Sequence, residues 1–282
     1  MSGQPVVSVI TVVRNEAATL EATVKSVLAQ SYPHVEYVVV DGASTDSTVE
    51  ILRSYEDRIG QLVSEPDRGI AHALNKASAL ATGDLLLFMN AGDCFSDDHV
   101  LARAVELIPR DLDVRGSIIY GDAVYAHASG RTLLRTSHEE LLDRNSICHQ
   151  SVLIGADVQR ANPYDERLAV YMDYDLWLRC LGRYPFVKVP VTLGVFTSGG
   201  TSGADELGAE LEIERAVVQM INNRSSRTPG AMVQALAGIV AVEAKRGTRR
   251  ALGDSAFLKL KRLLRRDTPS VWIPPSRDRD PD

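Results

Sequence analysis

The chain has 282 residues, 45% of them hydrophobic and 24% charged, with a net charge of -6 at pH 7. That length suits one large domain, or one domain with an appendage, around an ordinary core. A disulfide scaffold is excluded: Cys94, Cys148 and Cys180 form an odd set without metal-ligand spacing and fit a reducing compartment. No basic-plus-apolar leader opens the sequence and no apolar run is long enough to cross a bilayer, so a cytoplasmic location is expected.

Four apolar strands come first, each stopping at polar residues. Val6 to Val13 runs into Arg14-Asn15-Glu16, and Leu20, Val24, Val27 and Leu28 then share one face of a helix. Val35 to Val40 ends at Asp41-Gly42-Ala43-Ser44-Thr45-Asp46, which offers a turn and an N-cap for a helix through Val49, Leu52 and Tyr55. Gln61 to Ser64 leads through Glu65-Pro66-Asp67-Arg68-Gly69 into a helix carrying Ile70, Ala73, Leu74 and Ala77. Leu85 to Met89 ends in Asn90-Ala91-Gly92-Asp93, so a buried strand delivers a carboxylate to the sheet edge. Strands alternating with helices predict a parallel sheet with right-handed crossovers, and all four strand ends on the edge where such sheets bind ligands.

Further along, Ser117 to Tyr120 reads as a strand, and Ser129-Gly130 as the turn of a hairpin between Val124-Tyr125 and Thr132 to Leu134. His149-Gln150 precedes a strand over Val152 to Ile154. A helix beginning at Met172-Asp173 turns Leu176, Trp177 and Cys180 to the core, and Asp175 away from Asp173. After Gly199-Gly200-Thr201-Ser202 come helical patterns over Glu206 to Asn222, through Leu207, Leu211, Val217 and Met220, and over Ala231 to Ala244. Their apolar surface needs a partner: a lid, a dimer contact and a membrane-facing appendage all satisfy it. Between Lys245 and Arg266 the only acid is Asp254, and Phe257, Leu258, Leu260, Leu263 and Leu264 interleave with the cations. Such a helix either packs on the main domain with its cationic face outward or lies on an anionic membrane. No other basic stripe exists, so nucleic acid is not an expected partner.

In order, Ser8 to Glu16, Val39 to Asp46, Asp67-Arg68-Gly69 with Ala73-Leu74-Asn75-Lys76, Asn90 to Asp93, His149-Gln150 and Met172 to Arg179 resemble family 2 glycosyltransferases. The resemblance implies a GT-A-type α/β fold, a Rossmann-like, mostly parallel sheet flanked by helices. A nucleotide-sugar half would span 5–112 and an acceptor half 113–203, followed by a C-terminal helical region at 204–268 and a disordered tail at 269–282. It implies an inverting transferase that moves sugar from a nucleoside-diphosphate sugar, UDP-sugars favoured, to a saccharide or lipid-linked hydroxyl acceptor. The implied setting is bacterial surface polysaccharide or glycolipid assembly; a homodimer, and peripheral contact with the inner membrane face through the basic helix, stay open from the C-terminal residues.

By the same resemblance, Thr11, Val12, Arg14 and Glu16 receive the nucleotide base and Asp41 accepts its N–H, while Asp67, Arg68, Asn75 and Lys76 surround the ribose and diphosphate. Arg14 stands where relatives often carry an aromatic, and a guanidinium can stack on a base. Leu74 stands where many carry Arg, which leaves the phosphate charge to Arg68 or Lys76. Asn90, Ala91 and Gly92 complete the donor edge. Asp93, the one carboxylate left of the usual Asp-x-Asp, would bind Mg2+ or Mn2+ together with substrate phosphates. His149 and Gln150 would face acceptor or phosphate, and Asp173 would be the general base, with Met172 in place of the usual Glu. A dinucleotide-dependent oxidoreductase is opposed by the missing Gly-x-Gly-x-x-Gly turn. A non-catalytic sugar-nucleotide sensor or scaffold stays open, since the metal motif is reduced.

Overall fold

A computed structural model gives the fold and describes residues 3–127, 130–197, 214, 215, 217–219, 222 and 271–273. The first four strands are β1 (Val7–Val13), β2 (Val35–Asp41), β3 (Gln61–Ser64) and β4 (Leu85–Phe88), linked by α1 (Ala17–Leu28), α2 (Thr48–Arg53) and α3 (Ile70–Leu80). They lie parallel in the order β4-β1-β2-β3, as the alternation predicts. β1 is buried along its whole length, the pattern of a central parallel strand covered by helices on both faces. Leu20, Val24 and Val27 of α1 bury the predicted stripe against Val7, Val9 and Val39.

Register decides where the polar strand ends fall. Val13 lies opposite Asp41, and Asp41 opposite Ser64, so β1, β2 and β3 stop at one level. β4 stops beside Ile10, and the Met89 N–H donates to the Ile10 carbonyl at 2.8 Å. The segments after all four strands therefore share one edge.

The second half continues the same sheet with a change of direction. β8 (Val152–Gly155) pairs antiparallel with β4, β6 (Ile118–His127) antiparallel with β8, and β7 (Gly130–Leu134) antiparallel with β6. The sheet is thus parallel over β1 to β4 and mixed beyond them; the hairpin turn at 128–129 lies outside the described residues. β5 (Cys94–Phe95), α4 (Val100–Glu106), α5 (Ala156–Ala161) and the long β9 (Phe186–Thr197) are further elements, and α6 (Met172–Cys180) starts where the sequence places it. β9 runs parallel to β6 and antiparallel to β5. Pro190 interrupts it: the β6 register steps from Tyr120–Lys188 to Asp122–Thr192, so the residue that cannot donate to the ladder sits in an irregularity. Gly121 lies opposite, where a Cβ would meet the Val191 carbonyl oxygen at 2.5 Å.

The chain divides into two compact units, Met1–Ser198 with Trp272–Asp282, and Gly199–Val271. Residues 214, 215, 217–219 and 222 are helical, inside the span expected for the first C-terminal helix, and Val218 rather than Val217 is buried. Val271–Ile273 form a short strand, β10, inside the segment expected as a tail. The second expected helix and the basic run lie outside the described residues. Among the described residues no helix is long and apolar enough to cross a membrane.

Candidate active site

The turn that ends β4 is fixed from beneath. The Asp93 N–H donates to the Asn90 carbonyl at 2.9 Å, and Gly92 adopts φ +94°, a conformation that strains any other residue. Thr23, wholly buried on α1, accepts the Gly92 N–H at 3.0 Å and donates its hydroxyl to the Asp93 carbonyl at 2.7 Å. One turn further, Ser26 accepts the Phe95 N–H at 2.8 Å. Sequence reasoning missed Thr23; its signal is a lone polar residue between Leu20, Val24 and Val27.

Two acids meet at one short 3-10 turn, His149–Ser151. The Asp93 side chain receives the Gln150 amide at 3.0 Å, and burial pushes its pKa up to about 7. The Asn90 amide lies 3.2 Å from His149 Nε2, and His149 Nδ1 lies 3.8 Å from Asp173 Oδ2. Burial holds the His149 ring at about 4, so it is neutral at pH 7 and its contact with Asp173 is no ion pair. With Nε2 accepting from Asn90, the ring proton sits on Nδ1 and faces Asp173, beyond direct hydrogen-bonding distance. Asp173 stands in the first turn of α6, and its Oδ1 accepts the Tyr174 N–H at 2.7 Å. Gly194 of β9 seats the turn: a Cβ there would lie 2.6 Å from the Gln150 carbonyl oxygen. Asp175 is directed elsewhere, buried and paired with Arg179 at 2.8 Å.

The remaining expected residues fall into two groups. Arg14 and Glu16 are exposed past β1, and Glu16 accepts the Thr19 hydroxyl at 3.2 Å. Asp67 lies close to Arg14 across Gly42, where a Cβ would meet Asp67 Oδ2 at 3.2 Å and Arg14 Cδ at 3.3 Å. Asp67 holds Lys76 at 2.7 Å and His72 at 3.2 Å, Lys76 also reaches Glu65 at 2.8 Å, and Arg68 pairs with Glu166 at 2.7 Å. The others are held within the fold. The Thr11 side chain is buried, donating to the Met89 carbonyl at 2.7 Å, and Val12 belongs to the core, so at these two positions the backbone is what the strand end offers to a base. Asp41 is also wholly buried; it accepts the Ser44 N–H at 3.0 Å, the Ser44 hydroxyl, and the Ser64 hydroxyl at 2.6 Å. Its carboxylate organises the loop after β2. Asn75 exchanges two hydrogen bonds with the Tyr164 backbone, at 2.9 and 2.8 Å, and anchors α3 to the loop before α6.

Asp93 and Asn90 are the oxygens that could hold a divalent cation. The Asn90 Oδ1 is buried without a hydrogen-bond partner among the described residues, and the buried Asp93 carboxylate of the same turn, offset only by neutral hydrogen-bond donors, favours a positive charge. Both are hard oxygen ligands of the kind magnesium and manganese prefer. Among the described residues no group of three or more His, Cys, Asp or Glu could cage a metal. The pair therefore fits an ion shared with substrate oxygens.

A parallel sheet with acids gathered at its carboxyl edge is the architecture of a nucleotide-binding α/β protein. The family model described as Glycosyl transferase family 2 matches residues 8–152. A PGL/p-HBAD biosynthesis glycosyltransferase of Mycobacterium bovis is 32% identical over 184 residues, 62% of this chain and 70% of the relative. The chain belongs to glycosyl transferase family 2. Its fold is similar to that of S. aureus TarS 1-349 in complex with UDP, with TM-score 0.58, 19% identity, and coverage of 76% of this chain and 65% of that one. The chain thus spans just under two thirds of the TarS fragment. It is also similar to the mannosyltransferase PcManGT of Pyrobaculum calidifontis in complex with GDP-Man and Mn2+, with TM-score 0.57, 20% identity, and coverage of 93% and 81%. These likenesses establish the GT-A-type fold.

Thr23→Val keeps the shape of the side chain but leaves the Gly92 N–H unpaired, and should cost about 1–3 kcal/mol in urea denaturation; an unchanged midpoint would show that the turn holds without the hydroxyl. Asp93→Asn should stabilise the protein in chelator. The folded carboxyl titrates near 7, above its ordinary 3.8, so ionisation opposes folding: the penalty is absent below about pH 4, grows towards pH 7 and is constant above it. The gain at pH 8 should reach up to about 4 kcal/mol and vanish near pH 4. A variant no more stable than wild type at pH 8 would contradict a desolvated Asp93.

Proposed function

We propose that the chain is an inverting glycosyltransferase that transfers a sugar from a nucleoside-diphosphate sugar, UDP-sugars first among them, to a hydroxyl of a saccharide or lipid-linked acceptor. The setting is surface polysaccharide or glycolipid biosynthesis. The observation that carries this reading is the contact of one turn with both acids, Gln150 with Asp93 and His149 with Asp173. The TarS complex holds UDP and the PcManGT complex holds GDP-Man with Mn2+, which supports a nucleotide-sugar donor. The name of the mycobacterial relative supports a biosynthetic role.

Asp93 and the Asn90 Oδ1 would hold Mg2+ or Mn2+, which when bound supplies Lewis-acid stabilisation to the departing diphosphate. Gln150 keeps one Asp93 oxygen in place, and Asn90 turns its amide hydrogens to His149. Asp173 accepts the proton of the acceptor hydroxyl as that oxygen bonds to the anomeric carbon. The bond from that carbon to the diphosphate oxygen breaks, and its electron pair leaves with the diphosphate. Attack opposite the leaving group inverts the configuration. Holding both substrates in line supplies much of the rate, and no covalent intermediate is required. Arg14 stacks on the base, Glu16 lies near it, and Arg68 or Lys76 exchanges an acid partner for phosphate. The basic run between Lys245 and Arg266 would contact an anionic membrane face, and the C-terminal region would serve that contact or a dimer.

The test is transfer from UDP-glucose, UDP-GlcNAc and GDP-mannose by wild type and by Asp173→Asn. The variant should bind donor within about twofold of wild type and transfer sugar at least about 10²-fold more slowly, the scale of a lost general base. Near-normal transfer would remove Asp173 from the chemistry. Excess EDTA should stop wild-type turnover, and full activity in chelator would remove the ion.

A further inference from the structure

The two oxygens of Asp173 have different neighbours. Oδ1 accepts the Tyr174 N–H at 2.7 Å, a bond within its own helical turn, and the Asn145 amide stands 3.5 Å from the same atom. Oδ2 is turned to His149, whose Nδ1 lies 3.8 Å away, and both side chains are largely covered, 17% and 14% exposed. What Nδ1 carries is decided at the other end of the ring. Nε2 lies 3.2 Å from the Asn90 side-chain nitrogen, which has hydrogens to give and no lone pair to receive one, so Nε2 accepts. An accepting Nε2 excludes the imidazolium and puts the single ring proton on Nδ1, on the Asp173 side. The backbone beneath the ring is held as well: the Ser151 N–H and hydroxyl both donate to the Cys148 carbonyl, at 3.0 and 2.8 Å.

We infer that His149 is a positioning residue for Asp173: Asn90 locks the ring as its Nδ1–H tautomer, and that N–H orients the Asp173 Oδ2 instead of binding substrate. This rests on the reading of Asp173 as the base. The gap of 3.8 Å is roughly 1 Å longer than a charge-assisted hydrogen bond, and catalytic pairs commonly stand long until substrate closes the site. A neutral donor suits the task, because it orients the carboxylate without cancelling the negative charge that makes it a base, as a Lys or Arg would. Oδ2 keeps a second lone pair for the acceptor proton. The consecutive residues His149 and Gln150 thus turn one neutral donor each to one acid, Gln150 to Asp93 and His149 to Asp173.

Two amide side chains separate the two ring nitrogens: Asn sets its side-chain nitrogen where Nδ1 stands, and Gln sets it where Nε2 stands. The full chain is assayed with Mn2+ and whichever of UDP-glucose, UDP-GlcNAc or GDP-mannose the wild type turns over, for transfer to the methyl glycosides of glucose, galactose and mannose, or for donor hydrolysis where none is glycosylated. His149→Gln should lower kcat at least about tenfold with the donor KM within about threefold, and His149→Asn should keep kcat within about threefold of wild type. Equal losses in the two variants, as a structural role would give, overturn the inference; so does a loss carried by the donor KM, as a phosphate ligand would give. Independently of turnover, 15N NMR at pH 7 reads the ring nitrogens of the full chain in chelator. The His149 signals, assigned by their loss in His149→Asn or by elimination against replacements of the other histidines, should show the Nδ1–H tautomer, and Asn90→Leu should abolish that preference. An Nε2–H tautomer in wild type overturns the inference, because the ring would then offer Asp173 only a lone pair. A wild type that turns over no donor, or an Asp173→Asn protein that transfers normally, fails the underlying reading and this inference with it. An inactive Asp173→Asn beside a fully active His149→Gln fails this inference alone.

Discussion

A carboxylate at the end of a fully buried strand cannot keep its charge without help, and the neighbourhood of Asp93 is organised around that fact. Only 8% of the residue is exposed, and its single side-chain amide donor is Gln150. A neutral amide offsets part of the lost hydration and leaves room for a cation, whereas an Arg or Lys partner would have neutralised the site permanently. The Asn90 Oδ1 of the same turn has the same deficiency: among the described residues it is an acceptor with no donor. The hard cation proposed for this site would supply positive charge to both. The turn can carry this strain because α1 supports it through Thr23 and Ser26, on a helix whose other buried residues are apolar and tightly packed.

The turn beside the second acid is placed by the other half of the sheet. β8 follows directly after the His149–Ser151 turn and pairs with β4, the strand that delivers Asp93, so the turn and the Asp93 loop are set by one strand pairing. β9 passes close enough that only glycine fits at 194, and its irregular pairing with β6 at Pro190 and Gly121 accommodates a strand that must lie against both β6 and β5. The antiparallel strands therefore fix the turn whose His149 lies 3.8 Å from Asp173. Neither acid touches the other through a flexible loop; each is reached through consecutive residues of one short turn.

The strand ends were legible because apolar runs and helical spacing are local, and because a parallel sheet must open all its carboxyl ends on one edge. The ends of β1 to β4 and the start of α6 follow from that alone. Which face a residue takes at the strand end was not legible. Thr11 and Asp41 stand at the right level but point inward, since Met89, Ser44 and Ser64 reach them from other segments. β9 was obscured by Pro190 and Gly194, which read as turn residues until their partners on β6 and at Gln150 are known. Thr23 was invisible for the same reason: its partners lie far away in sequence, and a lone Thr on an apolar helix face has many ordinary uses.

Magnitudes separate the two cations proposed for the diphosphate. The Arg68–Glu166 pair is exposed, with 71% and 37% of the side chains in contact with solvent, and an exposed pair is worth about 1 kcal/mol or less. Lys76 is mostly covered, and it bridges Glu65 and the nearly buried Asp67. Withdrawing it would leave Asp67 with only His72 beside Arg14, and an uncompensated buried carboxylate costs several times more than an exposed pair is worth. A guanidinium also forms bidentate bonds to phosphate oxygens, whereas an ammonium acts as a point charge. In the proposed function Arg68 would therefore be the cation that changes partners as a donor arrives, and Lys76 the one that keeps Asp67 in place.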